Sequence, residues 1–164
     1  MPAHAYAYYP GCTLHSTAKE YDVSSRLVCQ AMGIELRELE NWTCCGASSA
    51  HVVSHLLSIA LPARDLQVAE EMGLPLALPC PACFTRMKSA SKELQDATLL
   101  ATVNEIIVKD FKNEIEILPL PKVIDRNADS LPVVRSLNAL KVACYYGCLS
   151  VRPKEIAEAD SVEN

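Results

Sequence analysis

This sequence predicts an α/β fold, an open and mostly parallel sheet with helices on its flanks, and three observations carry that prediction. Short apolar runs at 4–10, 34–40 and 74–80 alternate with longer stretches of helical periodicity, the order that builds a parallel sheet. The third run, LPLALPC, is apolar almost throughout, as a central strand covered on both faces must be. Glycine or proline punctuates the element ends, at Pro10-Gly11, Gly33, Gly73 and Pro81.

Taken in order, HAYAYYP (4–10) is short, aromatic and alternating, a first strand ended by Pro10-Gly11. From Ser16 to about Met32 the chain has a helical pattern, with Ala18, Tyr21, Val23, Leu27, Val28 and Ala31 as its apolar positions. Ser16 or Thr17 is the expected cap and Gly33 the stop. IELRELE (34–40) alternates apolar and charged residues, a second strand. Beyond NWTCCGASSA, Ser48 or Ser49 opens a helix through Leu61, and Pro62 is expected to break it. A further helix then runs to Met72 and stops at Gly73. After the third strand, helix resumes at Pro81 and continues, with an interruption, to about Asn113.

PLPKVIDRNADSLPVVRS (119–136) is proline-rich and charged and reads as a linker or docking arm. ALKVACYYGC (139–148) reads as a new strand that echoes HAYAYYPGC, with a tyrosine pair, a glycine and a terminal cysteine. The expected organisation is therefore a cysteine-rich domain over 1–118, a linker over 119–138, and the truncated start of a second such unit over 139–164.

Half of the 164 residues are apolar, enough for a real core. A net charge of −5 argues against nucleic acid as a partner. No apolar run reaches the length of a membrane span, and MPAHAYAYYPGC has no basic region followed by an apolar stretch. The expected location is cytoplasmic. In that reducing setting the eight cysteines, at 12, 29, 44, 45, 80, 83, 144 and 148, point to metal or redox chemistry more than to disulfides.

Cys12 follows the first strand, Cys44 and Cys45 the second, and Cys80 and Cys83 end the third. Parallel strands share one carboxyl edge, where such folds bind ligands, so five thiols should converge. Neighbouring cysteines are poorly placed to bond to each other. The helices that follow aim their N-termini at the same edge, which favours thiolates, and Gly11 and Gly46 allow close backbone approach. Five thiolates exceed the four ligands of tetrahedral zinc and of an ordinary cubane cluster. Either one is a spectator, or the site holds an unusual multinuclear cluster in which Cys44 and Cys45 reach two irons or bridge.

The spacing Cys12–x31–Cys44–Cys45–x34–Cys80–x2–Cys83, anchored by YYPGC, CCGAS and CPAC, resembles the cysteine-rich CCG domain of the B-type subunits of heterodisulfide reductases and their relatives. The likeness spans roughly residues 6–95, and YYGCLSVRP (145–153) resembles the start of a second such domain. The resemblance implies that Cys12, Cys44, Cys45, Cys80 and Cys83 ligate one noncubane [4Fe–4S] cluster. It makes Cys148 the counterpart of Cys12 in a second metal motif, whose remaining cysteines do not follow within this chain. It further implies a heterodisulfide (CoB–CoM) reductase-like subunit that reduces a small-molecule disulfide. Its electrons would come from a ferredoxin-like iron–sulfur subunit, itself fed by a flavin subunit. Two alternatives stand beside it: a zinc-binding structural module, and an electron-transfer subunit of a lactate-, glycolate- or succinate-oxidising complex working toward quinone. CCGAS is closer in wording to bacterial relatives, so the coenzyme M–coenzyme B heterodisulfide need not be the substrate.

His15, three residues after Cys12, is a candidate proton donor to a departing thiolate, against a plainer surface or capping role. His51 and His55 have the i, i+4 spacing of a metal pair on one helix face, though exposed or packing roles fit better. Lys19 and Arg86 are candidates for steering an anion, equally explained as solvated helix residues. Tyr8, Tyr9, Tyr145 and Tyr146 read as strand residues packing on the sheet, and Cys29 and Cys144 as core thiols. An orphan strand ending at Cys148 points to self-association or a missing partner.

Overall fold

The computed structural model describes residues 5–47, 49–136 and 138–157. His4 and Ser48, expected at the start of a strand and of a helix, lie outside them. Four strands, β1 (Ala5–Tyr8), β2 (Glu35–Glu38), β3 (Leu76–Leu78) and β4 (Ile117–Pro119), form one sheet in the order β2-β1-β3-β4. Every pairing is parallel, with Ala5 opposite Glu35, Ala7 opposite Leu76 and Leu76 opposite Ile117.

In chain order the helices are α1 (Gly11–Leu14), α2 (Lys19–Ala31), α3 (Ala50–Val53), α4 (His55–Glu71), α5 (Pro81–Glu93), α6 (Ala97–Ile107), α7 (Leu120–Arg126), α8 (Cys148–Val151) and α9 (Lys154–Ala157). The two-residue repeat of the strands divides their side chains between two cores. Ala7, Tyr9, Leu76, Leu78 and Ile117 meet Ile59, Leu66, Phe84, Met87 and Val103 from α4, α5 and α6. Tyr6, Tyr8, Ala77 and Leu118 meet Cys29, Leu120 and Val123 from α2 and α7. Both faces are covered, which is why β3 is apolar without alternation. The chain steps to one side from β1 to β2 and to the other for β3. The crevice at the carboxyl ends of β1 and β3 is therefore a switch point where ligands bind in open α/β sheets.

The structure corrects several expectations. Neither Ser16 nor Thr17 caps α2: Ala18 is the N-cap, and the Ser16 hydroxyl donates instead to the Cys12 carbonyl at 2.8 Å. The apolar positions Tyr21, Val23, Leu27 and Val28 of α2 all lie exposed, while Ser25 and Cys29 are buried. The aromatic side chains of Tyr6 and Tyr8 fill the layer beneath the helix, so its inward positions are small. Expected linker residues are part of the fold. Pro119 ends β4, and Leu120 and Val123 of α7 are buried; Pro121 falls in the first helical turn, where a missing N–H costs nothing. The strand expected over 139–148 does not form. Residues 140–147 have no regular structure, and Tyr145 and Tyr146 are exposed rather than packed on a sheet. A segment that pairs with no neighbouring strand makes no ladder hydrogen bonds and gains none of a sheet's stabilisation.

Pro62 stands inside α4 without ending it. The break lies at Ser54, whose extended backbone separates α3 from α4 and whose Oγ accepts from Leu57 N at 3.3 Å. Proline has no N–H for the carbonyl four residues back. That carbonyl belongs to Ser58, and Arg86 Nη2 of α5 donates to it at 3.1 Å. Arg86 is thus a structural donor, neither an anion guide nor a solvated helix residue. Arg86→Ala should cost about 1–3 kcal/mol by leaving this carbonyl unpaired. Adding Pro62→Ala restores an N–H and should recover about 1 kcal/mol in a urea double-mutant cycle. Strictly additive effects would show that Arg86 does not substitute for the missing amide.

Candidate metal centre

The fold brings all five motif cysteines to the carboxyl edge of the sheet. Cys12 lies in α1 directly after β1, and Cys44 and Cys45 lie in the loop after β2. Cys80 is the N-cap residue of α5, which contains Cys83. Their side chains divide into two sets. Cys45 and Cys83 are buried with their Sγ atoms 3.2 Å apart, and Cys80 is half-buried at the N-cap of the helix that carries Cys83. Cys12 and Cys44 are exposed. Among the described residues no three His, Cys, Asp or Glu side chains already form a metal cage. Deprotonated thiols repel one another until a cation joins them, and metal binding releases their protons.

Gly11 forms one wall of this sulfur site. It has φ +75, and a Cβ there would lie 3.1 Å from Cys83 Sγ and 3.2 Å from Tyr9 Cε1. Gly46, at φ +78, turns the chain after the cysteine pair, with Ala50 Cβ 3.2 Å from where its own Cβ would stand. Both positions favour glycine on backbone grounds alone.

The three inner thiols polarise one another. The Cys83 thiol lowers Cys80 to about 6 against its burial, helped by the backbone N–H groups of Cys83 and Ala82 at the start of α5. Cys83 likewise lowers Cys45 to about 7, against burial and with help from the Ala47 N–H. Cys83 itself is pushed far up by its two sulfur neighbours and by burial. An all-sulfur donor set with two thiols poised near neutrality and a glycine wall fits a thiophilic metal or an iron–sulfur group.

Residues around the cysteine pair are tightly tied. Thr43 N donates to Asp65 Oδ1 at 2.9 Å, its Oγ1 lies 3.3 Å from the same oxygen, and Tyr9 OH donates to its carbonyl at 2.6 Å. Trp42 packs edge-on to Tyr9 and His15 and donates through Nε1 to Glu38 Oε1 at 3.1 Å. Burial pushes the Asp65 carboxyl up to about 7, against the Thr43 N–H and the Arg64 charge. Neither Asp65 nor Thr43 is among the residues that motif spacing singles out. The available signal is an aspartate within the apolar stretch SIALPARDLQVA, on a face that otherwise buries Ile59, Ala63, Leu66 and Ala69.

The other candidates separate clearly. His15 lies at the rim of the site, with Nε2 3.2 Å from Glu38 Oε1. His51 and His55 fall on different helices, α3 and α4, because Ser54 interrupts them; His55 pairs with Glu93 at 2.8 Å. They are no helix-face metal pair. Lys19 is exposed at the start of α2. Tyr8 is buried and donates to Asp22 at 2.7 Å under the Arg26 guanidinium, and Tyr9 is a buried wall of the site. Cys29 is a core thiol, whereas Cys144 is exposed and not a core residue. Cys148 is exposed and opens α8, which rests on α5 through the Thr85 Oγ1 to Leu149 carbonyl hydrogen bond of 3.2 Å.

Among the described residues no helix is long and apolar enough to cross a membrane. The chain is 35% identical over 164 residues to the 8-methylmenaquinol:fumarate reductase membrane anchor subunit of Wolinella succinogenes, a match covering 97% of this chain and 57% of that protein. It is 26% identical over 160 residues to a protein of Archaeoglobus profundus that is itself like the B-type subunit of heterodisulfide reductase, covering 92% of this chain and 54% of that one. The chain thus spans little more than half the length of these relatives. Residues 6–88, from β1 into α5 and including all five motif cysteines, match the cysteine-rich domain family CCG, and the chain belongs to that family.

Proposed function

We propose that this chain is the cluster-holding part of an iron–sulfur redox subunit in a heterodisulfide reductase-like complex, with Cys12, Cys44, Cys45, Cys80 and Cys83 as ligands of a noncubane [4Fe–4S] cluster. The observation that carries this reading is the buried Cys45–Cys83 sulfur pair, 3.2 Å apart with Cys80 beside it, at the carboxyl edge of the sheet. When bound, such a cluster supplies one-electron chemistry that no side chain here offers. The chain supplies the rest. Cys45 and Cys83 anchor the buried side, while Tyr9 and Trp42 exclude water from it. Cys12 and Cys44 hold the exposed side, where a small-molecule disulfide has access. His15, beside Glu38 at the rim, is the candidate proton donor. A ferredoxin-like subunit and a flavin subunit deliver the electrons, and the chain works in the cytoplasm, where thiols stay reduced.

A second reading is favoured by the 35% identity to a quinol:fumarate reductase subunit, which exceeds the 26% to the heterodisulfide reductase-like protein. In it the same cluster carries electrons between quinol and a dicarboxylate-converting partner. Both readings need the cluster. Iron, acid-labile sulfide and zinc per chain on anaerobically purified protein, with paramagnetic resonance on the oxidised sample, test it. About four irons and four sulfides, lost in Cys45→Ser, are expected. About one zinc without sulfide would make this a structural zinc module instead and overturn both redox readings.

A further inference from the structure

Asp65 is fully buried, yet its Oδ2 has no hydrogen-bond partner and the cation facing it is Arg64, with Nη1 3.5 Å from Oδ1. An apolar side chain at this position would serve the core better, because a buried carboxylate loses its hydration. What Asp65 does provide is geometry. Its Oδ1 accepts from Thr43 N at 2.9 Å and lies 3.3 Å from Thr43 Oγ1. Arg64 Nη1 donates to the Asn41 carbonyl at 2.9 Å and reaches Thr43 Oγ1 at 3.4 Å, and Tyr9 OH takes the Thr43 carbonyl. Every polar group of the residue preceding the cysteine pair is therefore fixed by a regular element or by the residue that follows β1. Asn41, at φ +51, shows that this loop follows a demanding path.

We propose that Asp65, acting through Thr43, is a positioning residue that holds the Cys44–Cys45 turn ready for its ligand; this deepens the cluster reading above and rests on it. The cysteine pair lies on a loop, and loops keep ligand geometry only when a second layer of contacts holds them. Helix α4 is that support. Its Asp65 and Arg64 reach across to the loop from adjacent positions, and the buried Cys45 is thereby kept against Cys83.

Asp65→Ala and Asp65→Asn separate the lost acceptor from the lost charge, because asparagine keeps an oxygen for Thr43. In the metal-free protein, Cys45 should be alkylated by iodoacetamide about tenfold faster in Asp65→Ala and at close to the native rate in Asp65→Asn. Cys29, buried in the core on the opposite face of the sheet, should keep its native rate in both and reports any global opening. After anaerobic reconstitution, Asp65→Ala should hold iron about tenfold more weakly, with Asp65→Asn restoring it. An unchanged Cys45 rate in Asp65→Ala, equal acceleration of Cys45 and Cys29, or failure of Asp65→Asn to restore the native behaviour would each overturn the proposal. A native chain that takes up no iron would defeat the cluster reading, while the alkylation rates would still decide the role of Asp65.

Discussion

Gly11→Ala is expected to weaken the proposed metal binding while leaving the sheet folded. Two effects combine at this position. A side chain at φ +75 costs about 1–2 kcal/mol in the backbone. The new Cβ would also stand 3.1 Å from Cys83 Sγ and 3.2 Å from Tyr9 Cε1. The tyrosine ring is held by its hydrogen bond to the Thr43 carbonyl, so the sulfur is the atom that gives way, and moving it undoes the pairing with Cys45. Metal affinity should fall by about tenfold or more, roughly the loss seen when ligand orientation is disturbed. Gly33→Ala is the matched control: it has φ +72 and nothing within 4 Å of its would-be Cβ. It should lose similar stability in urea and take up metal in reconstitution as the native chain does. Equal metal loss in both variants would show that backbone strain, not the sulfur contact, is responsible.

Asp65→Asn is expected to stabilise the metal-free protein above pH 7 and to destabilise it in acid. Burial raises the Asp65 carboxyl from the ordinary 3.8 to about 7. Folding therefore favours the protonated form. Below about pH 4 both states carry the proton and no penalty arises. Between there and about pH 7 the folded state binds more protons than the unfolded one, so stability falls as pH rises, by about 4 kcal/mol in all. Above that pH the penalty is complete and constant. Asparagine carries no charge but leaves an amide donor where Oδ2 now has no partner, a cost of about 1–3 kcal/mol. The net gain at high pH should be about 1–3 kcal/mol, and the urea stability curves of the two proteins should cross between about pH 4 and 7. Parallel curves would mean that Asp65 is ionised without penalty, and burial would not be what governs it.

Much of the fold is legible in the sequence because its signals are local. The alternation of HAYAYYP, the unbroken apolar run LPLALPC and the stops at Gly33 and Gly73 each act within a few residues, and each has its counterpart in the structure. Several of the corrected expectations turn on a distant partner. Pro62 suggests a break because its missing N–H is visible in sequence, whereas the Arg86 donor that replaces it comes from another helix. The apolar positions of α2 suggest its buried side, but periodicity does not say what lies beneath a helix, and here Tyr6 and Tyr8 already fill that layer. The segment 139–148 has the composition of a strand and finds no edge to pair with.

Which cysteines gather, and at which edge of the sheet, follows from sequence: parallel strands end on the same side, and the spacing places a thiol after each of the first three. How those thiols differ is a property of the folded molecule. Burial and mutual contact set Cys45, Cys80 and Cys83 apart from the exposed Cys12 and Cys44. Folding likewise sets the support of the cysteine turn, held from α4 by Asp65, a residue 22 positions away from Thr43 in the chain. Hydrogen bonding and desolvation depend on which surfaces meet, and that is fixed only when the helices close on the sheet.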